Sequence, residues 1–210
     1  MNAEGLATRA ETFKLLAECY YAPEGALRTI TDDLSRCLIS LCPEAARPMK
    51  RMREAIAREP DPTPRKVDYA RLFVGPFGVL APPYGSVYLE GERRVMGGST
   101  MNVRDTYLDE GLDISENCRE APDHIAVELE FMHFLACKEA EAAAREDREG
   151  ALQYAQKQNE FLEGHLETWV PEFTDLIKSH AQTEFYKCLA ECTSIFLTSG
   201  FRKEGGREIF

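Results

Sequence analysis

The chain has 210 residues, of which 44% are hydrophobic and 29% charged, and it carries a formal net charge of −11. A chain of this length buries an ordinary core without staples, and its acidity argues against nucleic acid or an anionic membrane surface as partner while suiting a basic one. Seven cysteines, an odd number without framework spacing, fit free thiols in a reducing compartment.

No run approaches the roughly 18 apolar residues of a membrane span. The opening MNAEGLATRAETFKLL lacks the apolar stretch of a secretory signal. Both features read as a cytoplasmic protein without stable membrane insertion.

Leu6, Phe13, Leu16 and Tyr20 share one helical face, and Pro23 ends that helix. Leu27, Ile30, Leu34, Leu38 and Leu41 form a second stripe up to Pro43, and Ala45, Met49, Met52 and Ile56 a weaker third. EPDPTP, Glu59 to Pro64, is too rich in proline for a helix. A short helix then carries Val67, Tyr69, Leu72 and Phe73 into an irregular stretch, LFVGPFGVLAPPYGSVYLEGERR, from Leu72 to Arg94. Long irregular loops are either functional or disordered, and disordered ones are poor in aromatics. This one contains Phe73, Phe77, Tyr84 and Tyr88 and is expected to be ordered for a purpose, with Ser86–Glu90 as its one extended piece.

Gly97-Gly98 reads as a turn and Ser99 as an N-cap, opening a helix through Val103, Tyr107 and Leu108 that Gly111 closes. Residues 112–121 are polar and irregular, a hinge between two helical halves of one domain. Pro122 suits the first position of a helix whose apolar arc is wide: Ile125, Leu129, Met132 and Ala136, with Val127, Phe131 and Leu135 beside them. Such a helix belongs at the centre of a core. EAEAAAREDREG reads as solvated helix. Leu152, Ala155, Leu162, Leu166 and Trp169 make the next stripe, stopped by Pro171. Phe173, Ile177, Ala181, Cys188, Cys192 and Ile195 make the last, up to Gly200. No sustained period of two occurs, so the class is all-α.

Little conventional chemistry stands out. Glu130 and His133 form an E-x-x-H on one helical face, but a di-iron bundle needs a second such pair, and none is present. His133 with Cys137, and Cys188 with Cys192, lack zinc-knuckle spacing. Gly97-Gly98-Ser99-Thr100 opens a helix without a phosphate-loop signature or a preceding strand. No metal or cofactor is implied. A metal-dependent helical enzyme built on Glu130, His133 and Asp123 stands as the alternative from another class, and a general helical adaptor for amphipathic segments as a third reading. Two features outlast this weighing: the aromatic and proline loop, and EAPDH (Glu120 to His124), where Asp123 complements a helix start and the same field biases His124 toward neutral.

Together these features resemble a known family. Y-x-x-L-F-x-G-P from Tyr69 to Pro76, A-P-P-Y-G-S-V-Y from Ala81 to Tyr88, and E-x-P-D-H-I-A-x-E-L-E-F-M from Glu120 to Met132 are similar to motifs of the TorD/DmsD (NarJ-like) chaperones of redox-enzyme maturation. FLEGHLETWVPEF, from Phe161, and FYKCLAECT, from Phe185, fit the same pattern. The resemblance implies a TorD-like all-helical bundle and a cytoplasmic chaperone rather than an enzyme. Its partner would be the twin-arginine signal peptide, and the precursor, of a molybdopterin oxidoreductase catalytic subunit. On that reading Tyr69, Leu72, Phe73, Pro76, Pro82, Pro83, Tyr84, Ser86 and Tyr88 wall an apolar groove, with Asp123 and His124 beside it, Asp123 and nearby carboxylates receiving the arginines. Tyr84 is tryptophan in some members, which shifts the expected peptide preference. A monomer with a minor dimer, swapped across the 112–121 hinge, is expected.

Overall fold

The computed structural model describes residues 2–22, 27–75, 78–90, 96–116 and 118–199. Helices α1 (Ala3–Tyr20), α2 (Leu27–Leu41), α3 (Ala46–Arg58) and α4 (Thr63–Tyr69) lead to a π-turn, Ala70–Val74. Short α5 (Gly85–Leu89), α6 (Gly98–Asp109), α7 (Ile125–Ala144) and α8 (Arg148–Phe161) follow. A second π-turn, Leu162–Leu166, then joins α8 to α9 (Glu167–His180), and α10 (Glu184–Ser199) comes last. No β-strand forms among the described residues; one isolated antiparallel bridge pairs Tyr84 with His124.

α1 starts at Asn2, whose side chain accepts the Gly5 N–H at 3.0 Å. It buries Phe13, Leu16 and Tyr20 between α7 and α10: Phe13 meets Phe196 edge-on at 4.9 Å, and the Tyr20 and Thr193 hydroxyls bond at 2.8 Å. Ile125, Leu129, Met132 and Ala136 of α7 are all fully buried, as the wide apolar arc of the sequence requires. One hydrophobic cluster runs from α1 to α10, on both sides of the 112–121 segment. That segment folds back on its neighbours: Leu112 N–H reaches the Tyr107 carbonyl at 2.9 Å, and Arg104 pairs with Asp113 at 3.2 Å.

Several local expectations are corrected. Ser86–Glu90 is helical up to Leu89, because the N–H groups that open α5 find partners on a distant segment. Gly85 N–H donates to the Asp123 carbonyl at 2.9 Å and Ser86 N–H to the Asp123 carboxylate at 2.8 Å. α7 begins at Ile125 with His124 as its N-cap, and Pro122 lies in the preceding turn. α6 is capped from outside: Gly97 precedes it, and both the N–H and the hydroxyl of Ser99 donate to Glu90, at 2.7 and 2.6 Å. The alanine-rich stretch turns a corner at Arg145-Glu146 before Asp147 caps α8, and Leu152 faces solvent. Pro171 sits inside α9 rather than ending a helix, just after the π-turn has broken the backbone register. The final stripe divides between α9 and α10 at 181–183. Pro23, Pro76, Phe77, Arg93, Arg94 and Gly200 lie outside the described residues.

Candidate functional site

The motif segments converge where α5 meets the start of α7. Pro83 accepts the Ile125 N–H and Asp123 accepts the Gly85 N–H, both at 2.9 Å, on either side of the Tyr84–His124 bridge. Ala81 N–H donates to the Leu72 carbonyl at 2.9 Å, drawing the loop back over the first π-turn. Gly75 allows that reversal: its φ is +41°, and a Cβ there would lie 2.7 Å from the Gly78 carbonyl oxygen. Tyr88 donates its hydroxyl to the Pro82 carbonyl at 2.8 Å and stacks on Trp169 at 5.5 Å.

His124 is 2% exposed, and its Nδ1 accepts the Ala126 N–H at 3.1 Å. An accepting nitrogen carries no proton, and burial pushes this imidazole down to about 4, so the ring is neutral at physiological pH. Around it lies a half-exposed aromatic rim. The Tyr84 ring meets His124 edge to face at 5.2 Å, and its hydroxyl donates to Glu120 at 2.8 Å. The Tyr21 ring lies parallel to His124 at 6.1 Å, and its hydroxyl donates to Glu130 at 3.1 Å. Tyr69 borders the same patch and meets Phe73 at 5.3 Å. Burial first, and the neighbouring carboxylates second, push the Tyr21 and Tyr84 phenols far above their ordinary range. Both therefore stay protonated and act as donors.

The proposed site residues thus come together, but in two layers. Tyr69, Pro82, Tyr84 and Tyr88 are partly exposed. Leu72, Phe73, Pro83, Ser86, Asp123 and His124 are buried and form the floor beneath them. Asp123 is 0% exposed, so it does not offer a carboxylate at the surface. The acid that does so from the same motif is Glu120, whose side chain is 28% exposed, joined by the exposed Glu130. Glu120 stands in the E-x-P-D-H stretch and Tyr21 in the Tyr20-Tyr21 pair that ends α1, and spacing alone singles out neither.

A sequence model of the family described as nitrate reductase delta subunit matches residues 40–175, which contain both sides of the bridge. The chain belongs to this family. It is 28% identical over 183 residues to the Tat proofreading chaperone DmsD of Salmonella typhi, covering 85% of this chain and 81% of that protein. It is 29% identical over 130 residues to the chaperone protein TorD of Vibrio parahaemolyticus, covering 61% and 59%. A perchlorate reductase assembly chaperone of Dechloromonas aromatica is 29% identical over 133 residues, covering 62% and 58%. In three dimensions the fold matches a crystal structure described as that of a redox enzyme maturation protein from Archaeoglobus fulgidus. Its TM-score is 0.58 at 22% identity, over 90% of this chain and 93% of that one.

In this family member a second ionisable group lies beneath α5. Glu128 is fully buried, bonded to His165 Nε2 at 2.6 Å and to the Trp169 N–H at 3.2 Å. Burial raises its carboxyl to about 7, against the opposing pull of His165. Burial lowers His165, but the charge of Glu128 and its hydrogen bond outweigh that and push the imidazole up. The pair lies next to a 750 Å³ cleft lined by Phe131, Phe161 and Lys157. In the sequence Glu128 stands in the E-x-P-D-H-I-A-x-E-L-E-F-M stretch, and His165 and Trp169 stand in FLEGHLETWVPEF. Glu130 and His133 are engaged separately, Glu130 with Tyr21 and His133 with the Ala10 carbonyl at 2.8 Å. Among the described residues no group of three or more His, Cys, Asp or Glu is placed to hold a metal ion.

Proposed function

We propose that this protein is a maturation chaperone that binds the twin-arginine signal peptide of a molybdopterin oxidoreductase catalytic subunit. It holds the precursor in the cytoplasm for cofactor insertion before export. The family and its chaperone relatives support a role in binding rather than turnover. Among the described residues no helix is long and apolar enough to cross a membrane.

One observation carries the site assignment. Two surface carboxylates, Glu120 and Glu130, are each fixed by a tyrosine hydroxyl, on either side of a neutral, buried His124. Guanidinium groups pair with carboxylates in a forked geometry and lie flat on aromatic rings. The rim of Tyr21, Tyr69 and Tyr84 therefore suits arginines followed by an apolar segment. Burying about 400 Å² of apolar surface yields on the order of 10 kcal/mol gross, much of which goes to ordering the peptide. Exposed arginine–carboxylate pairs add only about 0.2–1 kcal/mol each. Apolar contact sets affinity, and the two acids set register and recognition. The 112–121 segment remains the proposed hinge for a minor swapped dimer of an otherwise monomeric protein.

Titration calorimetry with a twin-arginine signal peptide and its twin-lysine counterpart tests this reading. Preference for arginine supports it. Equal binding of both peptides favours a general adaptor for amphipathic segments, and no binding of either overturns the assignment.

A further inference from the structure

In a chain of net charge −11, one cleft has a purely basic charged lining. It has a volume of about 330 Å³ and opens between the start of α2, the end of α3 and α4. Its charged lining is Arg28, Arg65 and Lys66, its apolar walls include Leu27, Ile56 and Pro62, and none of the described residues lining it is acidic.

Arg65 is the unusual member. It is only 6% exposed. Its Nη1 donates to the Glu59 carbonyl at 2.7 Å, which caps the end of α3. That bond explains one nitrogen and leaves the rest. Nε is buried with no hydrogen-bond partner, and no carboxylate among the described residues forms an ion pair with this guanidinium. The acids on either side in sequence bond elsewhere: Asp61, which feels the Arg65 charge without touching it, accepts the Thr63 N–H at 2.9 Å, and Asp68 accepts the Gln182 and Thr183 N–H groups at 3.0 and 2.7 Å. A buried guanidinium with no carboxylate in direct contact is costly, and an unsatisfied N–H adds to the cost. An oxoanion in the cleft supplies the missing charge beside the guanidinium.

We infer that this cleft binds a small amphipathic oxoanion, a carboxylate or phosphate head on an apolar body, away from the signal-peptide surface. Arg65 anchors the head from below, where a fixed guanidinium loses little freedom on pairing. Arg28 and Lys66, both exposed, close on it from the rim. Leu27, Ile56 and Pro62 favour a ligand that brings apolar surface over a bare, fully hydrated ion. The volume lies at the small end of ligand pockets, which excludes a long chain or a folded partner.

The test is calorimetry on the full chain with phenyl phosphate, benzoate, inorganic phosphate and, as a cationic control, benzylamine. One aromatic anion is expected to bind at a single site about tenfold or more tighter than inorganic phosphate, and benzylamine is expected not to bind. The preferred anion identifies the head group. Replacing Arg28→Ala and Lys66→Ala together removes two exposed side chains and leaves the fold in place; it is expected to weaken that anion about tenfold or more without changing signal-peptide affinity. Arg65→Met is expected to abolish anion binding, with circular dichroism as the check that it folds. Failure of both aromatic anions to bind at millimolar concentration overturns the inference, as does undiminished binding in the Arg28/Lys66 double variant.

Discussion

The backbones of Tyr84 and His124 pair in a single antiparallel bridge, and their rings meet edge to face at 5.2 Å. This contact fastens a proline-rich loop to the first turn of the central helix. The surface tyrosine is thereby held in place before any peptide arrives, and it surrenders little freedom on binding.

Tyr84 accordingly separates two contributions. Tyr84→Ala removes an anchoring aromatic from the rim, which commonly costs about 2 kcal/mol or more, roughly thirtyfold in affinity. Tyr84→Phe keeps the ring and loses only the donor to Glu120; its expected cost is about 1 kcal/mol. Calorimetry with the signal peptide measures both. An alanine variant that folds and binds like the wild type would put the peptide on another face.

Glu120 and Asp123 stand three residues apart and should fail differently. Glu120→Gln removes a surface charge, so peptide affinity is expected to fall by about 1 kcal/mol at low salt and by less at high salt. Asp123→Asn disturbs a fully buried acceptor of the Ser86 N–H. Its effect is expected in the midpoint of urea unfolding, with peptide affinity showing the wild-type salt dependence. A salt-dependent binding defect in Asp123→Asn would return the arginines to that residue.

The sequence distinguishes these two acids poorly, for a physical reason. Both sit in the same polar stretch before α7, and Asp123 is buried where Ser86, 37 residues away in the chain, brings an N–H to it. The same long-range contact turns Ser86–Leu89 into helix despite its β-branched and aromatic residues. Leu16, Leu129 and Met132, by contrast, are buried where helical spacing puts them, since that periodicity needs no distant partner. Pro171 misleads because a π-turn leaves no compositional trace, and a proline just beyond it reads as a stop.

Asp68 ties α4 to the start of α10. Its carboxylate is 1% exposed, and it accepts the N–H groups of Gln182 and Thr183, the Thr183 hydroxyl, and a bond from Arg71 at 3.1 Å. Asp68→Ala orphans two backbone donors at once, an expected loss of about 2–4 kcal/mol. Asp68→Asn keeps one acceptor and should lose about half as much. Urea unfolding followed by the fluorescence of Trp169, the one tryptophan, gives both values; equal stability of Asp68→Ala and wild type would show the tie to be dispensable.

Stability should respond to pH through two opposed groups. Folded His124 stays neutral down to about pH 4, whereas an unfolded histidine takes its proton near 6.5. Between those values the unfolded chain binds more protons, so this group makes stability rise with pH, by about 2 kcal/mol from pH 5 to neutrality. Glu128 and His165 have the opposite sign. Both hold protons to higher pH when folded, Glu128 to about 7. Their contribution is complete in acid and falls away as pH rises toward and through 7. His124→Asn keeps an N-cap acceptor and removes the first effect. Relative to wild type, it should gain about 2 kcal/mol on going from pH 7.5 to pH 5. Glu128→Gln should instead gain relative to wild type as pH rises from 5 to 8. Unfolding curves at pH 5, 6.5 and 8 decide the matter: two variants that track the wild type in parallel at all three would mean that neither group titrates as its burial requires.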